Sequence, residues 1–250
     1  MPKIFYGILF SIILLILIFV FTGPSQDENP DVTEDTSSSE SSTQDQTDVT
    51  HYPTIVLDAG HGGFDPGKVG VNDVLEKDIN LAIVKKLQTL LVNEGFTVYL
   101  TRESDNLLAD PTSNTQKKDD MIARIEMISK INPLFTVSIH QNSFTDPSVY
   151  GPQVFYYKSS SESATLAKIL QDVLNQQLEP EKTREPQANE NYYLLTRTPT
   201  PTVIVECGFL SNPKEADLLI QDDYQEQVAR AIFLGILSYY EATTTQTPSE

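Results

Sequence analysis

The sequence predicts a three-layer αβα domain, an α/β fold with a mostly parallel sheet, and two observations carry that prediction. Between Tyr52 and Tyr240 short β-branched runs alternate with longer helical periods, the pattern of a sheet covered by helices. The strand segments are also close to continuously apolar, as strands buried on both faces must be. One transmembrane helix and a disordered acidic linker are expected to precede this domain. A chain of 250 residues with 39% hydrophobic content buries one ordinary core without disulfide staples.

Taken in order, residues 1–3 form a cytoplasmic stub and Ile4 to Phe21 is an uncharged apolar run of 18 residues, long enough to cross a hydrocarbon core of ~30 Å as a helix. A cleaved signal peptide has an apolar region of only ~7–15 residues ending at a small-x-small site, whereas this run continues to Phe21-Thr22-Gly23. A lipoprotein is excluded because the only cysteine is Cys207. Lys3 precedes the run and no Lys or Arg follows until Lys68, so the N-terminus is assigned to the cytoplasm and the rest to the outside of a single-pass cell-membrane protein. Residues 22–50 are the linker: Pro24 to Thr50 carries eight acidic residues, no basic ones and only Val32 and Val49 as aliphatics. Such a segment cannot bury enough to fold, and it self-repels into an extended tether.

The folded domain is assigned to residues 51–241. Its expected strands are Thr54–Asp58, Thr97–Thr101, Thr136–His140, Gln153–Tyr157 and Thr202–Glu206. Its expected helices are Glu76–Asn93, with Ile79, Ile83, Leu87 and Leu90 on one side, then Asp119–Lys130, Glu162–Leu178 and Tyr224–Tyr240. Residues 242–250 are a polar tail.

Charge and rare residues narrow the function. Lys+Arg 17 against Asp+Glu 35 leaves a formal charge of −18, which repels phosphate backbones and argues against nucleic-acid binding. One cysteine and three histidines leave too little for a Cys/His cluster, so a metal site must use carboxylates. In doubly wound sheets, polar residues at the carboxyl ends of strands converge on one crevice. That rule brings together Asp58-Ala59-Gly60-His61, His140-Gln141-Asn142-Ser143 and Glu206-Cys207-Gly208.

Each residue has a structural reading beside the functional one. His61 and His140 singly are ordinary histidines; at two strand ends together they favour a shared ligand, and with a carboxylate and an open position they make a catalytic zinc site. Glu76 is the third-ligand candidate, with Asp58 and Asp65 as rivals, yet Asp73-Val74-Leu75-Glu76 also reads as a capping box. Glu206, after an apolar strand, reads as a general base with a raised pKa or as a buried carboxylate paired with Arg102, Arg124 or Arg197. Asn142 and Gly208 are expected substrate contacts. Cys207 reads as a core residue. Gly62 to Lys68 matches the start of a phosphate-binding loop, but Val69 stands where Ser or Thr must hold magnesium, so an NTPase is the weaker alternative.

Four motifs then stand in one order: Leu57-Asp58-Ala59-Gly60-His61-Gly62-Gly63, Glu76-Lys77-Asp78-Ile79-Asn80-Leu81, Ser138-Ile139-His140-Gln141-Asn142-Ser143, and Val205-Glu206-Cys207-Gly208-Phe209-Leu210-Ser211-Asn212. In these the chain resembles the zinc-dependent N-acetylmuramoyl-L-alanine amidases, bacterial peptidoglycan hydrolases, from about Thr54 to Tyr240. The resemblance implies zinc (Zn2+) ligation by His61, Glu76 and His140, with Glu206 as the catalytic glutamate and Arg102 and Arg124 as structural residues. Ile128-Ser129 and Arg184-Glu185-Pro186 depart from the family's usual wording, and Arg184–Thr196 is expected to line the substrate groove. The single anchor, tether and compact domain look most like the germination-specific, spore-cortex branch, which implies stem-peptide removal toward muramic-δ-lactam. Peptidoglycan is the implied substrate, with an activating envelope protein as an expected partner. A non-catalytic or partner-dependent peptidoglycan-binding domain is the alternative.

Overall fold

The computed structural model describes residues 52–244. The stub, the apolar run at 4–21 and the linker therefore lie outside the described residues, as does the end of the tail. Among the described residues no helix is long and apolar enough to cross a membrane.

The elements are β1 (Thr54–Ala59), α1 (Glu76–Glu94), β2 (Thr97–Leu100), α2 (Gln116–Ile131), β3 (Thr136–Asn142), β4 (Gln153–Tyr157), α3 (Ser161–Leu178), β5 (Gln187–Asn189), α4 (Tyr193–Arg197), β6 (Thr202–Phe209), α5 (Pro213–Leu219) and α6 (Asp222–Thr244). Every expected strand and helix is present. Strand β5 and helices α4 and α5 are additions that the sequence does not announce, because runs of three, five and seven residues are too short to show a period. Helix α6 continues to Thr244, into the stretch assigned to the tail.

The sheet has the order β2-β1-β3-β6-β4-β5. Pairs β1·β2, β1·β3, β3·β6 and β4·β5 are parallel, while β4 runs antiparallel to β6. The sheet is thus mixed, and its parallel centre puts the carboxyl ends of β1, β3 and β6 side by side.

Alternation along the strands sorts the two faces. Ile55, Leu57, Ala59, Val137, Ile139, Val203 and Val205 join Ile83, Leu87, Leu170, Leu174, Ile232 and Ile236 from α1, α3 and α6 in the main core. The opposite face is thinner. Val56 meets Ile128 and Leu194, and Phe155 and Ile204 meet Leu195. There the buried polar groups Asp58, Ser138, Arg124 and Glu206 collect, so the chemistry lies on the face that α2 and α4 cover.

Candidate metal centre

Helix α1 begins at Glu76, and its N-cap is Leu75, which makes no side-chain capping bond. The capping-box reading of Glu76 therefore fails, and Asp73, at φ 63°, is outside the helix. Glu76 is turned toward β3 instead. Its Oε1 lies 2.9 Å from His140 Nδ1 and 3.3 Å from His61 Nε2, and it accepts from Gln141 N–H (3.1 Å) and Asn80 Nδ2 (3.3 Å). Oε2 accepts from Lys68 N–H at 2.7 Å. One donor atom each from His61, Glu76 and His140 lie within 4.8 Å of one another, the one group able to hold a metal among the described residues.

The loop between β1 and α1 carries His61 in the left-handed region, at φ 62°, a conformation that costs a non-glycine residue free energy and persists only when its surroundings impose it. Two buried arginines impose it. Arg102 donates to the carbonyls of Ala59 (2.9 Å) and Gly60 (3.1 Å), and Arg124 to those of Ala59 (2.8 Å) and His61 (2.7 Å). Asp65 then accepts from His61 Nδ1 at 2.9 Å, which fixes the tautomer and turns Nε2 into the cluster, as outer-shell carboxylates do for ligating histidines. The sequence presented Asp65 only as a rival ligand. The other rival, Asp58, lies beneath the site and binds Arg124, Ser138 and Thr101. Burial pushes its carboxyl up, but Arg124 and the two hydroxyls outweigh this and hold it at about 2.

Glu206 pairs in register with His140 across β3 and β6, just before a bulge that separates His140 from Asn142. Bulges beside active sites re-aim side chains. Arg102 and Arg124 are engaged elsewhere, and Arg197 lies over Tyr193, 5.6 Å from its ring centroid, so the structural pairing of Glu206 fails. Its Oε2 is buried without a hydrogen-bond partner. Burial pushes the carboxyl up to about 7, with Glu76 raising it and His140 and His61 lowering it.

The residues suit a cation. Burial pushes the His140 imidazolium down, but Glu76, then Glu206 and Asp58, carry it up to about 9: the protein's own charges favour positive charge here. Two imidazoles and one carboxylate, with an orphaned carboxylate oxygen beside them, are the donor set of catalytic sites that keep a position open.

A groove of about 350 Å³ opens onto the cluster, lined among others by Met121, Asn142, Ser143, Tyr192, Tyr193, Leu194 and Ile204. Asn142 is therefore at the groove, as is part of the Arg184–Thr196 segment. Gly208 is not among the groove's lining residues; a Cβ there would meet Leu219 and Glu215 of α5 at 3.2 and 3.4 Å. Cys207 is fully buried, and burial raises its thiol far above the usual range. After Lys68 no helix starts until Glu76, which removes the phosphate-loop reading.

An α/β domain with a His-Glu-His cluster and a free buried carboxylate at its strand ends has the make-up of a metal-dependent hydrolase. The chain belongs to the N-acetylmuramoyl-L-alanine amidase family, whose model matches residues 55–238. It is 38% identical over 189 residues to the germination-specific N-acetylmuramoyl-L-alanine amidase of Bacillus subtilis, covering 74% of this chain and 79% of that protein. The CwlD amidase of Clostridioides difficile, solved in complex with the GerS lipoprotein, superposes with a TM-score of 0.74 at 42% identity, covering 76% of this chain and 99% of that one. The amidase AmiC2 of Nostoc punctiforme gives a TM-score of 0.66 at 32% identity, covering 75% and 97%.

Proposed function

We propose that this chain is a zinc amidase that cleaves the bond between the lactyl group of N-acetylmuramic acid and L-alanine, releasing stem peptides from peptidoglycan. The observation that carries the reading is the His61–Glu76–His140 cluster with Glu206 beside it, in a chain of this family. His61, Glu76 and His140 would hold the zinc, which when bound would supply Lewis acidity to water and to the scissile carbonyl. Glu206 takes the proton of the attacking water on its free oxygen and returns it to the departing L-alanine nitrogen, which leaves only when protonated. Burial without a hydrogen-bond partner raises this carboxyl, the direction that lets one group both take and return a proton. Asp65 and the two buried arginines keep His61 aimed, and Asn142 and Ser143 offer polar contacts to the substrate.

The similarity to germination-specific amidases supports a place in spore-cortex maturation toward muramic-δ-lactam. The lipoprotein bound to the C. difficile relative supports an activating envelope partner here too, and the apolar run at 4–21 supports a membrane anchor with the domain outside the cytoplasm.

The test is digestion of purified peptidoglycan with mass spectrometry of the products, before and after chelation and zinc restoration. Stem peptides with a free L-alanine amine, released only with zinc, are expected. Glu206→Gln is expected to retain zinc and lose ~10²-fold or more in turnover, whereas His140→Ala loses both. A Glu206→Gln protein with near-normal turnover sinks the assignment.

A further inference from the structure

The groove's lining holds one lysine, Lys68, and no arginine, among thirteen residues that include Glu76 and Glu206. Its backbone is tied to the ligand cluster in both directions: Lys68 N–H donates to Glu76 Oε2 at 2.7 Å, and Glu76 N–H donates to the Lys68 carbonyl at 2.9 Å. Gly67 makes this approach possible. At φ 68° a Cβ there would sit 2.6 Å from both Glu76 Oε2 and His61 Cδ2. The ammonium thus swings on a four-carbon stem from a point fixed against the metal ligands.

Its neighbours on this side of the molecule are spoken for. Lys77 binds Asp105 and Lys117 binds Asp65, each at 2.7 Å, whereas Lys68 is exposed and no ion pair of its ammonium is found among the described residues. An exposed lysine at the mouth of a groove in an acidic protein attracts an anion that the rest of the surface repels.

Resting on the amidase reading, we propose that Lys68 determines specificity by pairing with the free α-carboxylate of the second stem residue, so that the enzyme prefers stems carrying D-isoglutamate over stems amidated to D-isoglutamine. That carboxylate lies one residue beyond the L-alanine whose nitrogen leaves, and Lys68 lines the same groove as the cluster.

The test is equilibrium binding of N-acetylmuramoyl-L-alanyl-D-isoglutamate and its isoglutamine counterpart, each with its γ-carboxyl capped as the methylamide so that only the α-position differs in charge, to the full-length zinc-loaded Glu206→Gln protein, which separates recognition from turnover. The carboxylate ligand is expected to bind roughly two- to fivefold tighter, the range of a solvent-screened ion pair. The preference should shrink as salt rises, vanish in Lys68→Met and survive in Lys68→Arg. Equal binding of the two ligands, or a preference that persists in Lys68→Met, overturns the proposal. If that happens while the unmodified enzyme still releases stem peptides from peptidoglycan, the amidase reading stands and only the role of Lys68 falls.

Discussion

Gly60 is bare because the His140 ring occupies the space a side chain would need. A Cβ there would fall 2.2 Å from Cε1 and 2.3 Å from Nε2 of that ring, and neither the strand-end backbone nor β3 can give way cheaply. Gly60→Ala is expected to swing the imidazole off its place, at a cost of about 1–3 kcal/mol in stability and about tenfold or more in zinc affinity. Competition with a chromophoric chelator measures the second effect; an unchanged affinity would mean that His140 is not a ligand. In sequence, Gly60 is readable only as a turn residue beside His61. Its second duty depends on a ring delivered by a strand far along the chain. Asp65 is similar: the letters offer a carboxylate near a histidine, and only the folded loop shows that it holds the imidazole from Nδ1 and stands outside the His61–Glu76–His140 cluster.

At the scale of elements, the loop from β1 to α1 is the part most dependent on distant support. Arg124, from α2, is almost fully buried and joins Asp58 and Asp120 to the carbonyls of Ala59 and His61. Arg124→Met leaves two buried carboxylates without their cation and releases the strained His61. Breaking buried pairs in this way costs roughly 3–5 kcal/mol, which for a domain of this size lowers Tm by about 6–20 °C. Thermal denaturation reads the loss, and a Tm within a degree or two of the parent would show that Arg102 alone holds the loop. The long helices and central strands are legible because apolar residues recur at 3.6 or run unbroken through four or five positions. The short elements β5, α4 and α5 are not, since tertiary contacts alone stabilise them. One of these, α4, supplies Tyr193 and Leu194 to the groove.

For the whole molecule, stability and pH are coupled through buried ionisable groups, Asp58 and Glu76 on the acid side and Glu206 and His140 on the alkaline side. Asp58 is lowered from 3.8 to about 2, so its contribution, about 2 kcal/mol, is present above pH 3.8 and lost as pH falls through 2. Glu206 is raised from 4.5 to about 7 and His140 from 6.5 to about 9. Their contributions are complete below the ordinary values and are lost as pH rises through the folded ones. Metal-free protein should therefore be most stable in mild acid and should lose Tm steadily from about pH 5 to 9. Zinc bound at this cluster would displace its protons, and metal affinity rises as ligands deprotonate, so the gap in Tm between zinc-supplemented and chelated protein should widen over the same range. Scanning calorimetry at a series of pH values checks this, and a gap that stays constant with pH contradicts it.

The sequence by itself determined the α/β class, the order of the main elements, and the three strand ends that meet in one crevice, because hydrophobic period and polar punctuation are local properties of the chain. It also marked His61, Glu76, His140 and Glu206 as the residues worth placing together. Tertiary structure alone decided which carboxylate faces the imidazoles, that β4 runs against its neighbour, that Gly208 turns to α5, and that Lys68 stands at the groove mouth. Each of these depends on contacts between residues distant in sequence, where packing and hydrogen-bond satisfaction choose among local readings that the letters leave equal.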